Sequence, residues 1–203
     1  MNQATFAIRK NLKNQPLKKK LPLLLCVFML ALQSQAQISV AKMLGENSSE
    51  YGPGYGVFAY LDIPLASENQ SIRVELLDLA FFAKKGENIF NTKDDMRTYL
   101  SSKLGYKYVF SETQQGFYVL PAVGYCQIVD AVDTDGEPDK TIKSGGLASA
   151  MEVGYTLEVG QRSNTLNFGL KYEYDLGKAG QKLQSLGFRF SYGFGMFRRK
   201  DDY

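Results

Sequence analysis

The stretch TLNFGLKYEYDL, residues 165 to 176, alternates without a break. Leu166, Phe168, Leu170, Tyr172, Tyr174 and Leu176 hold the even positions, while Thr165, Asn167, Gly169, Lys171, Glu173 and Asp175 hold the odd ones. Successive side chains of an extended chain point to opposite faces, so the pattern predicts a strand with one apolar and one polar side. Two architectures carry such a stripe. A soluble barrel or sandwich turns the apolar face inward, and a membrane barrel turns it outward into lipid. Which side is wet decides most of what the protein can do.

The same alternation recurs along the chain, predicting strands near 38–45, 54–65, 71–84, 96–110, 116–129, 146–159, 165–176 and 185–197. In 96–110 an apolar row through Leu100, Leu104, Tyr106, Tyr108 and Phe110 opposes Arg97, Tyr99, Ser101, Lys103, Gly105 and Lys107. In 146–159 Leu147, Met151, Val153, Tyr155 and Leu157 oppose Ala148, Glu152, Gly154 and Thr156, and in 185–197 Leu186, Phe188, Phe190 and Tyr192 oppose Gly187, Arg189 and Ser191. The segment 71–84 changes phase, with Ile72, Val74 and Leu76 followed by Leu77, Leu79 and Phe81. One extra residue near Leu76–Leu77, a β-bulge, would reconcile its halves. Pro64 falls at a strand end, and Pro53 falls in a break where its missing N–H is tolerated.

The breaks alternate in length. ENSSEYGP (46–53), KGENIFNTKDD (85–95), DAVDTDGEPDKTIKSG (130–145) and GKAGQKLQ (177–184) are the longer ones; ASENQ (66–70), SETQQ (111–115) and QRSN (161–164) are short. In an up-and-down barrel consecutive connections lie at opposite ends, so the longer loops would gather at one end. That is the sidedness of an outer-membrane barrel. Tilted strands of about 9–11 residues cross a bilayer, and each strong segment is at least that long. Tyrosines cluster toward segment ends, as an interfacial girdle requires. Packing all the large apolar side chains inward would overfill an eight-stranded barrel. A lipocalin-like soluble barrel is the alternative.

The first 36 residues read as a secretory leader. Arg9, Lys10, Lys13, Lys18, Lys19 and Lys20 precede the apolar run LPLLLCVFMLAL, and Ser34 and Ala36 stand at −3 and −1 of a cut before Gln37. The apolar run falls short of the ~20 residues a spanning helix needs, so cleavage is expected rather than a signal anchor. The expected division is therefore 1–36 leader and 37–203 barrel. The full chain has 24 Lys+Arg against 21 Asp+Glu; without the leader the balance is 18 against 21, a net of −3. A nucleic-acid partner, which would need a clustered basic face, loses its support. Cys26 leaves with the leader and Cys126 remains alone, so no intramolecular disulfide can form. Closure of a barrel, which pairs every strand on both edges, stabilises without one.

The mature chain as a whole resembles the small eight-stranded bacterial outer-membrane barrels, OmpA/OmpX-like and especially the single-domain ones common in Bacteroidota-type bacteria. The resemblance lies in architecture, and its most specific piece is SLGFRFSY (185–192), which is similar to the terminal-strand signal read by the barrel-insertion machinery. The family usually ends in an aromatic residue closing that strand; here RRKDDY follows Phe197. The resemblance implies an all-β, eight-stranded antiparallel up-and-down transmembrane barrel in the cell outer membrane. Its implied partners are outer-membrane lipid and that machinery. Some lipid-modifying enzymes share this barrel, but they use a catalytic histidine that this chain lacks.

With no histidine anywhere, a Ser–His or Cys–His nucleophile is absent, and so are histidine metal sites. Carboxylate pairs such as Glu152/Glu158 or Glu173/Asp175 are read as structural ion-pairing groups, because charges removed from water need partners. The acidic segment from Asp133 fails the calcium-loop pattern, which needs Gly at position six and Glu at twelve; Pro138 and Ser144 stand there. It is read as a solvated loop. GPGYG (52–56) lacks the strand–loop–helix context of a phosphate cradle and is read as strand entry. No catalytic residue, cofactor or metal is expected.

The remaining candidates are the inward charges Arg97, Lys103, Lys107, Glu152, Lys171, Glu173 and Arg189. If residues 160–163 form the turn, Val159 faces Asn164. Counting back then sets Thr156 against Asn167, Gly154 against Gly169, and Glu152 against Lys171. Opposed Cβ atoms lie about 4.5–5.5 Å apart, so Glu152 and Lys171 are expected to pair, with Glu173 and Arg189 extending the network. The function expected is a non-enzymatic scaffold displaying loops to a partner the residues do not specify. A small porin or hydrophobic-substrate conduit is the alternative.

Overall fold

The computed structural model describes residues 35–67, 69–87, 96–112, 115–132, 140–159, 164–177 and 182–193. The expected leader, apart from its last two residues, lies outside them. Eight strands follow in order: β1 (Gln35–Met43), β2 (Tyr51–Pro64), β3 (Gln70–Lys84), β4 (Met96–Val109), β5 (Gly116–Val132), β6 (Lys140–Val159), β7 (Asn164–Gly177) and β8 (Lys182–Gly193). Each pairs antiparallel with its sequence neighbour, and β1 pairs with β8, closing the barrel through partners such as Val40↔Phe188 and Gln37↔Ser191. Every strand therefore has a hydrogen-bonded neighbour on both sides.

The opening stretch is strand β7, and its faces separate cleanly. Leu170 is 46% exposed, whereas the Lys171 side chain is 5% exposed. On β8 Phe188 is 53% exposed beside Arg189 at 3%. The same holds around the wall: Ile38, Val57, Leu104, Val123, Met151 and Val153 face out, and Arg73, Glu75, Lys103 and Glu152 face in. A continuous apolar wall of this extent is untenable in water. The closed sheet leaves no strand edge open to the bilayer, which is what hydrocarbon demands. The barrel is a transmembrane one, and the soluble lipocalin-like alternative fails because its faces would be reversed.

Aromatic side chains sort into two belts on the outer face. Near the end that carries the β2–β3, β4–β5 and β6–β7 turns stand Tyr106, Tyr108, Phe110, Phe117, Tyr155, Phe168, Phe190 and Tyr192. Three edge-on or tilted pairs knit this belt together: Tyr108–Phe110 at 5.1 Å, Phe117–Tyr155 at 4.9 Å and Phe168–Phe190 at 5.3 Å. Toward the other end stand Tyr55, Phe81, Tyr125, Tyr172 and Tyr174. From Phe117 to Tyr125 on β5, at about 3.3 Å per residue and the usual barrel tilt, the span is roughly 20 Å, close to the ~25 Å apolar band of such barrels. Both chain ends of the described barrel lie at the turn end.

The phase change in β3 is a bulge. Ala59 pairs Leu77 and Tyr60 pairs Glu75, leaving Leu76 over; on the other side Glu75 pairs Lys103 while Asp78 pairs Ser101. Leu76 and Leu77 both face out, so Glu75 and Asp78, three residues apart, both face in. The hydroxyl of outward-facing Ser102 donates to the carbonyl of Leu76 at 2.8 Å. In lipid no water could take its place. Ser102→Ala is therefore expected to cost about 1–3 kcal/mol, the usual penalty for orphaning a buried acceptor. Urea unfolding of the refolded barrel in vesicles checks it; an unchanged midpoint would show that the carbonyl needs no partner.

Three expectations are corrected. The long break at 130–145 is mostly strand, since β5 runs to Val132 and β6 starts at Lys140; its remainder, 133–139, lies outside the described residues. Likewise β8 starts at Lys182, which shortens the last connection to 178–181 and leaves 85–95 as the one markedly long loop. The expected contrast between long and short ends is thus weaker, because ladder pairing carries strands beyond the lipid band, where polar sequence gives no alternation to read. GPGYG does form the entry of a strand, but its Pro53 lies within β2 rather than in a break, opposite Lys42 and at a register shift between Tyr51 and Gly54. A bulge is one of the few places in a sheet where proline fits.

Candidate functional site

The lumen is built from the inward faces just described, and it contains the chain's candidate residues. Along β6 and β7 the register follows the four-residue-turn count: Val159↔Asn164, Thr156↔Asn167, Gly154↔Gly169 and Glu152↔Lys171. Glu152 and Lys171 are opposed on the inner face, yet they do not pair with each other. Glu152 takes a hydrogen bond from Arg189 Nη1 at 2.9 Å and from Tyr118 Oη at 2.5 Å, with Arg73 3.7 Å away. Lys171 Nζ instead meets Glu173 at 2.7 Å, Glu75 at 3.3 Å and Asp78. The expected ion pair is replaced by a wider network, because each long side chain reaches the barrel centre, where better-placed partners from other strands arrive.

The hub of this network is the bulge of β3. Glu75 accepts from Lys103 at 3.0 Å, Lys171 at 3.3 Å and Arg189 at 2.7 Å. Asp78 is shared by Lys103, Lys171 and Arg189. Lys103 also reaches Glu173 at 2.8 Å. Toward the turn end Arg73 forms a two-point contact with Asp62, both bonds 2.7 Å, the bidentate geometry that makes guanidinium–carboxylate pairs strong. Because β3 and β7 face each other across an eight-stranded barrel, the Glu75–Lys171 contact spans the lumen. Five carboxylates (Asp62, Glu75, Asp78, Glu152, Glu173) meet Arg73, Lys103, Lys171 and Arg189, with Lys107 close by. That balance leaves the cluster near neutral, so it does not demand a mobile counter-ion.

Two of the candidates stand apart. Arg97 pairs with Asp130 at 2.5 and 2.9 Å near the loop end. Among the described residues Lys107 has no carboxylate within ion-pair distance; it donates to Thr156 at 3.0 Å and Asn167 at 3.1 Å, in a set that includes Tyr60 and Ser191. Between the hub and Arg97 lies a largely apolar layer of Met43, Tyr51, Ala80, Phe82, Tyr99, Cys126, Ile128, Ala148 and Leu183, with the Asp175 carboxylate buried among them and its Oδ2 without a hydrogen-bond partner. The inner face is therefore not merely small residues and isolated charges, as the alternation suggests. It is layered.

Aromatic residues on the charged faces are what strand-by-strand reading misses. Arg189 lies 3.5 Å from the Phe58 ring centroid, Arg73 3.6 Å from Tyr60, Lys107 4.6 Å from Tyr118, Arg97 4.6 Å from Tyr51 and Lys103 5.4 Å from Tyr99. A cation over a ring face keeps electrostatic stabilisation where water is excluded. This matters most for Arg189, whose Nε and Nη2 have no hydrogen-bond partner. An aromatic side chain on the polar stripe of its own strand, as Tyr99 is, is the signal that finds these rings. Tyr118 needs one further feature. It lies across the opposed glycines Gly154 and Gly169, where a Cβ at Gly169 would stand 2.6 Å from Glu152 Oε1 and 2.8 Å from Tyr118 Oη.

Neither a protein-family model nor a curated protein matches the chain. Among solved structures, the crystal structure of the N-terminal β-barrel domain of Pseudomonas aeruginosa OprF is similar, at 12% identity and a TM-score of 0.42, over 78% of this chain and 97% of that one. The assignment as a transmembrane barrel rests on the closed sheet and its reversed faces. No cluster of three or more potential metal ligands occurs among the described residues.

Proposed function

We propose that the protein is a non-enzymatic outer-membrane scaffold, a rigid wall with its lumen closed by side chains and its loop end turned to a partner. The observation that carries this reading is the contact of Glu75 with Lys171 and Arg189 across the barrel, at a level where Lys103, Asp78 and Glu173 join the same network. Eight strands leave little lumen even before such filling. Planar-bilayer recording of the refolded protein is expected to show no steady open-channel current. A stable conductance with all these residues intact would instead make it a small pore.

The outer membrane is the compartment that suits a barrel preceded by an export leader. Fractionation should place the chain there, with Gln37 as its first residue by mass spectrometry. An intact leader in that fraction would reject the cut. Strand β8, with the outward row Leu186, Phe188, Phe190 and Tyr192, is the segment the insertion machinery would read.

A further inference from the structure

Of the described lumen carboxylates, Asp62, Glu75, Asp78, Asp130, Glu152 and Glu173 each have a cation within ion-pair distance. Asp175 has none among the described residues. The alternation of β7 reads Glu173 and Asp175 alike as ion-pairing groups, and only Glu173 is one. Asp175 is fully buried, with Ala148 opposite it on β6 and Leu183 opposite it on β8. Its Oδ1 accepts from the backbone N–H of Ser149 at 3.2 Å, and its Oδ2 has no hydrogen-bond partner. Both opposed residues belong to the apolar layer between the hub and the Arg97–Asp130 pair.

The titratable groups that reach Asp175 stand on three strands. On its own strand Glu173 lies two residues away on the same face, with Lys171 beyond it; β4 brings Lys103 and the Tyr99 hydroxyl, and β5 brings the Cys126 thiol. The facing residues of β6 and β8, Ala148 and Leu183, do not titrate. Both lysines are already engaged, each with Glu75, Asp78 and Glu173. A carboxylate at 175 would have to strip one of them from the hub or stand unpaired among apolar side chains. An unpaired ion so buried is far costlier than the neutral acid, and a carboxyl in such a place takes up a proton instead. We propose that Asp175 stands in the folded barrel as the neutral acid and acts as a proton-held latch on the loop-side half of the lumen. While the proton is bound, the apolar layer stays closed to water. When the proton leaves to solvent at the loop end, the carboxylate draws water into the layer as far as the hub. This latch is independent of what the loops bind and of whether the lumen conducts.

Residues 37–203 contain one thiol, Cys126, buried in the same layer, so it reports water there. The mature chain is refolded into vesicles beside its Asp175→Asn variant, which keeps the shape of the neutral acid and cannot ionise. Modification of Cys126 by a water-soluble methanethiosulfonate is timed in both proteins across a series of pH values. Since the two share the thiol, the ratio of their rates removes its own response to pH. The ratio of the unsubstituted protein to the variant is expected to start near one in acid and to climb by up to about tenfold per pH unit, the factor by which deprotonation follows pH. A negative charge beside the thiol would only slow its ionisation, so a rise cannot come from that source. Infrared spectra at neutral pH should show a carboxylic C=O stretch that the asparagine variant lacks. A ratio that stays flat up to the pH at which the barrel unfolds would overturn the proposal, as would identical carboxylic bands. Failure of the asparagine variant to refold would overturn it too, because a neutral side chain at 175 is the form the folded barrel is held to contain.

Discussion

Glu75→Gln is expected to destabilise the barrel by about 3–5 kcal/mol, the cost of removing one partner from a buried ionic network. The substitution keeps the side chain's shape and removes one charge. Lys103, Lys171 and Arg189, all nearly fully buried, would then share a depleted set of acceptors. Among the described residues no other lumen carboxylate joins cations from three strands through hydrogen bonds in this way, so the effect should exceed that of Asp130→Asn, whose described ion-pair partner is Arg97. Urea unfolding in lipid vesicles measures it, with exposed Glu50→Gln as a control expected to stay within ~0.5 kcal/mol. A Glu75→Gln midpoint equal to that of the control would remove the hub from the account. The same variant refolded for bilayer recording tests the lumen: any new current would trace to the loosened cross-section.

Leu170→Arg is the second large effect, at about 2–4 kcal/mol for a cation placed on the lipid face near the midplane. Leu170 is outward and flanked across the ladder by Val153 and Phe188, both also outward. Its neighbour Lys171 bears a charge at no such cost, because it faces the network. A reporter at position 170 should be quenched by bilayer-embedded probes and one at 171 should not. The opposite pattern would invert the wall and with it the transmembrane assignment.

Much of this was legible in the residues alone, and the legible part is local. Alternation within TLNFGLKYEYDL and its counterparts states which face each side chain takes, because a strand's period is two whatever surrounds it. The switch from Leu76 to Leu77 marks the bulge for the same reason. The β6–β7 register follows from a four-residue turn, since a short connection leaves the two strands no freedom to slip. The faces of a membrane barrel differ so sharply in polarity that the side toward lipid is inscribed along every strand.

What only the tertiary structure decided is who meets whom inside. Glu152 and Lys171 are opposed as the register requires, but Arg189 and Glu75 draw them apart, and those partners stand on strands far away in sequence. Asp62, Arg73, Glu75 and Asp78 become lumen residues of consequence only when closure brings β2 and β3 round to β6, β7 and β8. The extra length of β5 and β6, and the place of Pro53 within β2, were hidden because the ladder, not the polarity of the side chains, holds those segments extended. Strand faces are set by neighbours one residue apart. The contents of the lumen are set by curvature, stagger and side-chain reach across the closed wall, which no stretch of sequence contains by itself.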